Sequence, residues 1–216
     1  LVWQQDLGAA TLFFFGFLAL LYISTGELIY LMGGGTLLLL GGTAAYFLYD
    51  RVNLRINAWL NPWPDATDRA FQIVQSLYAI GAGGILGTGF GQGYPTYIPV
   101  VHSDFTLAAI AEEWGIIGTL FVIVVFIVLV WRALRVAALA EHPFSKYLAA
   151  GIAVFLAIQS ILIIGGVGKL LPLTGVTLPF VSYGGSSMVI SSIMVGLVIW
   201  LSQECYESDS PHAADK

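Results

Sequence analysis

The sequence predicts an all-α, polytopic membrane bundle with five spans, a long outward loop and a second, re-entrant loop rich in proline and glycine. Three observations predict it. The chain of 216 residues is 58% hydrophobic and only 10% charged, whereas soluble domains carry about 25% charged residues. Its mean hydropathy is +0.86, and a chain of this size cannot bury so much apolar surface in water, so its solvent is lipid. Apolar runs near the roughly 20 residues that cross a bilayer recur along it, separated by two segments of a different character, 50–104 and 168–186.

Taken in order, residues 9–27 form the first apolar run and Ser24–Glu27 carry a tight turn signal. The second run, 28–49, contains Gly33–Gly35 and Gly41–Gly42; in lipid such glycines let neighbouring helices approach. Residues 50–104 begin with a polar, aromatic stretch holding Arg51, Arg55, Trp59 and Trp63, and tryptophan favours the membrane interface. Residues 68–80 read as an amphipathic helix on the bilayer surface, with Asp68, Gln72, Gln75 and Ser76 on its polar side. A glycine tract follows over 81–93. It fits no dinucleotide fingerprint, so its glycines serve tight backbone packing or line a groove. The third span covers 105–131, a polar connection 132–146, and the fourth span 147–167. The loop 168–186 is apolar yet full of proline and glycine, which at membrane depth requires protein packing or a cavity. A fifth span, 187–202, precedes a polar, cytoplasmic tail, 203–216.

Five spans place the loops 50–104 and 168–186 on one face. Arg51, Arg55, Arg69 and Lys169 lie there, against Arg132, Arg135, Lys146 and Lys216 opposite. The charges tie, and the short basic connection 132–146 leans the long loop outward. A net charge of −5 with no basic patch excludes nucleic acid as a partner. Cys205 alone offers no disulfide or thiolate metal site. The start has no basic leader region and no Met, and reads as the later part of a longer protein.

The chemistry concentrates where the long loop meets the third span. Asp104 follows His102 and Ser103 at a helix start, where Ser103 or Asp104 is expected to cap the free N–H groups. A helix N-terminus favours a charged carboxylate, and an ionised Asp104 can accept a proton from a hydroxyl. His102 is a candidate hydrogen-bond partner for it. Glu112 falls about 80° round the helix from Asp104, and Glu113 on the opposite side, so Glu112 is expected to share the Asp104 cavity and Glu113 to bond a neighbouring helix. Lys169 either snorkels to the interface or holds an anionic head group. Ser182, Ser186 and Ser187 sit in no nucleophile elbow, and a lone His102 makes no metal site.

Several stretches together resemble the SEDS family (RodA, FtsW, SpoVE). They are Pro99–Phe105 with Ala111–Gly115, Pro172–Gly175, and Leu178–Ser187. Gln4–Gly8, Phe71–Ser76 and Ala79–Gly84 fit as well. The resemblance covers nearly the whole chain in order and is similar to the second half of a protein of about ten spans. It implies a peptidoglycan glycosyltransferase of the bacterial cell membrane that polymerises lipid II during elongation or division, with the long loop outside. It implies Asp104 as the catalytic acid and a binding role for His102, Ser103, Glu112, Lys169, Ser182 and Ser186. Polyprenyl-linked glycan, a class B penicillin-binding protein transpeptidase and membrane lipid are the implied partners. No cofactor is certain; a divalent cation, Mg or Mn, is the candidate. Two departures stand out: Val100 replaces the family's usual glutamate, and Ile163–Lys169 is RodA-like rather than FtsW-like. A lipid II flippase and a non-catalytic scaffold for a transpeptidase are the alternative readings.

Overall fold

The computed structural model describes residues 7–67, 70–99 and 101–208, with the backbone alone over 205–208. Gln4, Asp6, Asp68, Arg69, Val100, the Cys205 side chain and Lys216 lie outside the described residues. Seven α-helices run in order: α1 (Leu7–Thr25), α2 (Leu28–Leu48), α3 (Asp50–Leu60), α4 (Phe71–Gly83), α5 (Thr106–Leu139), α6 (Pro143–Val167) and α7 (Gly185–Ser208). Five of them, α1, α2, α5, α6 and α7, are long and apolar enough to cross a membrane. Among the described residues there is no strand.

The spans follow the apolar runs, with informative differences. The polar connection expected over 132–146 is absent: α5 continues to Leu139 and α6 starts at Pro143. Arginine, alanine and leucine are good helix formers, so polarity alone does not end the helix; Pro143, pre-set for a first helical position, starts the next one. α7 likewise runs past residue 202, into the expected tail. The polar stretch after α2 folds as the helix α3.

α6 is the central element. It packs on α1, α5 and α7, and Ala149, Ala150, Ala153 and Leu156 on it are buried. Small residues facing Ala133 and Ala137 of α5 let the backbones come close. At the loop end, Phe105, Leu107, Ile98, Phe126, Ile163, Val167 and Leu178 form the main apolar cluster. α2 has no buried residue; of its five glycines only Gly34 meets a neighbour, Leu18 of α1, and the others meet nothing within 4 Å. The expected role of that glycine pattern therefore holds at one position.

α4 is packed more closely on the bundle than its polar side suggests. Val74, Ser76, Ala79 and Gly83 are buried; Ser76, Ala79 and Gly83 share one face, and α4 packs on α5. Ser76 sits inside because its hydroxyl donates to the Ile73 carbonyl, 2.8 Å away, and leaves no unmet polar atom.

The reason for this packing is a break in α5. Gly115 is at φ 67°, ψ −162°, outside helical geometry. The break frees the carbonyls of Glu112 and Glu113 and the N–H groups of Ile116 and Ile117, which lipid cannot satisfy. The glycine tract satisfies all of them. Thr88 and Gly89 donate to the Glu112 and Glu113 carbonyls at 2.9 and 3.0 Å, and Ile116 and Ile117 donate to those of Gly84 and Ile85 at 3.0 and 3.4 Å. The two backbones touch, so side chains are excluded: a β-carbon on Gly83 would collide with the Ala111 carbonyl and one on Gly87, at φ +83°, with that of Glu113.

Gly83→Ala should therefore destabilise the full-length protein by more than about 2 kcal/mol through overpacking against backbone. Gly81→Ala, two residues earlier in the same helix with nothing within 4 Å, should be neutral or stabilising by up to about 1 kcal/mol. Thermal melting in detergent checks the pair; equal midpoints would show that the contact contributes nothing.

Candidate functional site

The two irregular segments meet, as five spans require. Tyr183 donates its N–H to the His102 carbonyl at 2.7 Å. The Thr106 hydroxyl lies 3.0 Å from the His102 carbonyl and 3.3 Å from Ser182 Oγ. From α3, Arg55 Nη1 donates to the Thr174 carbonyl at 2.9 Å and reaches that of Leu173 at 3.4 Å. Trp59 donates its indole N–H to the Lys169 carbonyl at 3.1 Å. From below, Gln159 donates to the Thr177 carbonyl at 2.8 Å. Gln159 lies two turns before the end of α6, about 12 Å down its axis. The loop 168–184 therefore dips into the bundle, and its polar backbone is met by side chains there. Lys169 and Phe180 hold left-handed backbone, φ 57° and 62°, a strained geometry that this network fixes.

Asp104 sits where these strands of chain converge. It does not cap α5: the N-cap is Phe105, and no side chain caps it. Phe105 is 1% exposed and anchored in the apolar cluster, so the buried ring, rather than a cap, fixes the half-buried acid beside it. Among the described residues no donor bonds the Asp104 carboxylate. Its Oδ2 faces Gly175 at φ +77°, where a β-carbon would lie 3.9 Å from it and 3.6 Å from Arg55 Nη2. A carboxylate and a guanidinium thus border one side-chain-sized gap without forming an ion pair. Arg55 Nη1 is bound to the loop, and Nη2 has no partner among the described residues.

The other expected site residues are distributed differently. The exposed His102 ring stands edge-on to Tyr183 with centroids 5.9 Å apart, and does not bond Asp104. Ser103 is half-buried and is not without a partner. Ser182 is 4% exposed, and its oxygen accepts the Leu178 N–H at 3.0 Å, so its hydroxyl holds the loop. Ser186 is exposed at the start of α7. Lys169 is half-buried and meets α3 through its carbonyl.

Glu112 does not share the Asp104 gap. Its Oε1 accepts the Tyr94 N–H at 2.9 Å, and it lines a separate cavity of about 170 Å³ with Gln75, Tyr78, Tyr94, Tyr97 and Ile98. The break at Gly115 and the loop docked on it turn this side of α5 toward α4. Glu113 makes no side-chain hydrogen bond among the described residues, so the bond expected to a neighbouring helix is not formed. Arg55 is the residue that sequence reasoning missed. The signal was present: an arginine on a short amphipathic helix beside a loop, where its rigid fork suits carbonyls and anions.

The family model described as "Cell cycle protein", covering FtsW, RodA and SpoVE, matches residues 1–207. The peptidoglycan glycosyltransferase RodA of Mycobacterium tuberculosis (strain ATCC 25618 / H37Rv) is 40% identical over 202 residues, 94% of this chain and 43% of the relative. A probable peptidoglycan glycosyltransferase FtsW of Geobacter sulfurreducens (strain ATCC 51573 / DSM 12127 / PCA) is 46% identical over 162 residues, 73% of this chain and 43% of the relative. The chain thus spans under half the length of these relatives. A chain in a solved structure described as "Structural coordination of polymerization and crosslinking by a peptidoglycan synthase complex" superposes with TM-score 0.76 at 27% identity, over 94% of this chain and 57% of that one. A crystal structure of a Thermus thermophilus rod shape determining protein RodA mutant has the same fold, with TM-score 0.58 at 23% identity, over 94% of this chain and 52% of that one.

Arg55→Ala should loosen the loop while sparing the bundle. Hydrogen exchange in the full-length protein should rise about tenfold or more at residues 171–182, which corresponds to losing a bond of roughly 1.5 kcal/mol from a charged donor. Unchanged protection there would show that Arg55 does not hold the loop.

Proposed function

The chain belongs to the FtsW, RodA and SpoVE family, and from that premise we propose that it polymerises lipid II into glycan strands in the bacterial cell membrane, with Asp104 as the base. The observation that carries this reading is the Asp104 carboxylate facing the Arg55 guanidinium across Gly175. Asp104 takes the proton from the GlcNAc 4-hydroxyl of the acceptor. That oxygen attacks the MurNAc anomeric carbon of the growing chain, its C–O bond forms as the bond to the diphosphate breaks, and the configuration inverts.

In such a displacement the leaving oxygen departs on the side away from the attacking one. A fixed cation opposite the base meets the charge as it develops. Arg55 fits that role better than Lys169, because its Nη1 is already anchored on the loop. The leaving diphosphate is stable as an anion and needs no acid, so one carboxylate suffices. A divalent cation, Mg or Mn, fits only as an ion held mainly by substrate phosphates, where it would add to the charge stabilisation; Asp104, the carboxylate at the gap, is committed to the proton. Among the described residues no group of three or more potential ligand side chains is assembled.

The loops carrying Asp104 lie outside the cytoplasm on this reading, and the α5–α6 turn within it. A RodA-like role in elongation is favoured, since the RodA relative aligns over 94% of this chain and the FtsW relative over 73%. A class B penicillin-binding protein transpeptidase is the proposed partner. An intramembrane Glu112 slightly favours the flippase reading, but its carboxylate is tied to Tyr94 in a cavity apart from Asp104.

Asp104→Asn in the full-length protein with its partner should lower the rate of polymer formation from purified lipid II by roughly 10²–10⁴-fold, the range for loss of a general base. Arg55→Gln should lower kcat, while Ser186→Ala should act mainly on KM. Near-normal chains from the Asp104 variant would remove it from the mechanism.

A further inference from the structure

At the end of α5 remote from Asp104, a cavity of about 470 Å³ opens between α5 and α7, lined by Arg132, Arg135, Val136, Leu139, Val198 and Ile199, with Ser202 at its edge. We propose that it is a binding site for an anionic phospholipid, with the lipid phosphate on the two arginines and an acyl chain along the apolar wall.

Arg132 and Arg135 are three residues apart on one helix and so share a face. They lie close to the end of α5, beside its connection to α6 and at the opposite end of the span from the loops. They therefore stand at the opposite membrane–water boundary from the loops. Both guanidinium groups lie over the Trp131 indole, 5.5 and 5.8 Å from its centroid. Cation–π contact there restrains both and lowers the entropy lost when they bind phosphate. Trp131 itself is 53% exposed, as an interface anchor is.

Among the described residues no carboxylate pairs with either arginine; Glu204, on the same side of the bundle, lies 3.3 Å from the Ser145 hydroxyl instead. Two arginines that only snorkelled to water would need no apolar cavity beside them. Here the cavity they line is also walled by Val136, Leu139, Val198 and Ile199, which suits a hydrocarbon chain. Positive charge beside apolar walls is complementary to a phosphate joined to acyl chains. A free phosphate lacks the chains, and in a zwitterionic lipid the head-group cation offsets the phosphate.

The test is native mass spectrometry of the full-length protein titrated with phosphatidylglycerol or with phosphatidylcholine of the same chain length. One phosphatidylglycerol should be retained at a concentration about thirtyfold lower than phosphatidylcholine, given roughly 1 kcal/mol for each of the two basic residues at a lipid surface. Arg132→Gln/Arg135→Gln should abolish that preference without changing phosphatidylcholine retention, whereas Arg51→Gln, on the loop side, should leave it intact. Trp131→Leu, which keeps both charges, should weaken the preference and serves if the double variant does not fold. Equal retention of the two lipids, a preference that survives both substitutions, or displacement by millimolar inorganic phosphate would overturn the proposal.

Discussion

Everything at the loop face depends on one requirement: a backbone broken inside lipid must find its hydrogen bonds elsewhere in the protein. α5 breaks at Gly115, and the four groups it frees are met by residues 84–89. This exchange commits the glycine tract to α5, draws α4 onto the same helix, and turns Glu112 toward Tyr94 rather than toward Asp104. The glycines at 83, 87 and 115 are required because two main chains approach there with no room for a β-carbon. A more conventional helix would need none of this, and would leave the long loop without a mooring.

The second loop is secured by a different means. Its backbone carbonyls are met by side chains from α3 and α6: Arg55, Trp59 and Gln159. Among the described residues, Gln159 Oε1 and Glu112 Oε2 are the buried side-chain oxygens without a partner. Both loops then present their functional atoms to a single gap. The acid comes from one, the glycine from the other, and the guanidinium from α3, which binds the second loop and faces the acid at once.

Much of this was legible in the chain. The spans follow from apolar length, and the shared face of the two loops from the parity of five crossings. The irregular course of 168–184 follows from proline and glycine in an apolar setting. What stayed hidden has physical causes. α3 combines ordinary helix formers with interface tryptophans, so composition masked its helicity. The 132–146 connection was overcalled because arginine is polar yet favours helix. Ser76 was placed on the wrong side because a hydroxyl bonded to its own helix can be buried cheaply. Helical angles put Glu112 near Asp104 only for an unbroken helix that already includes Asp104, and α5 begins after it. Arg55 is 49 positions from Asp104 in the chain, a pairing no local pattern encodes.

Gly175 has a consequence for how a ligand is received. A methyl group at that position would stand between the guanidinium and the carboxylate, and each would act on its own neighbourhood. With hydrogen there instead, their electric fields overlap across one gap that is positive on one side and negative on the other. Under the proposed reaction an alcohol on one substrate and an anion on the other would each be drawn to its own side, and the two could not trade places.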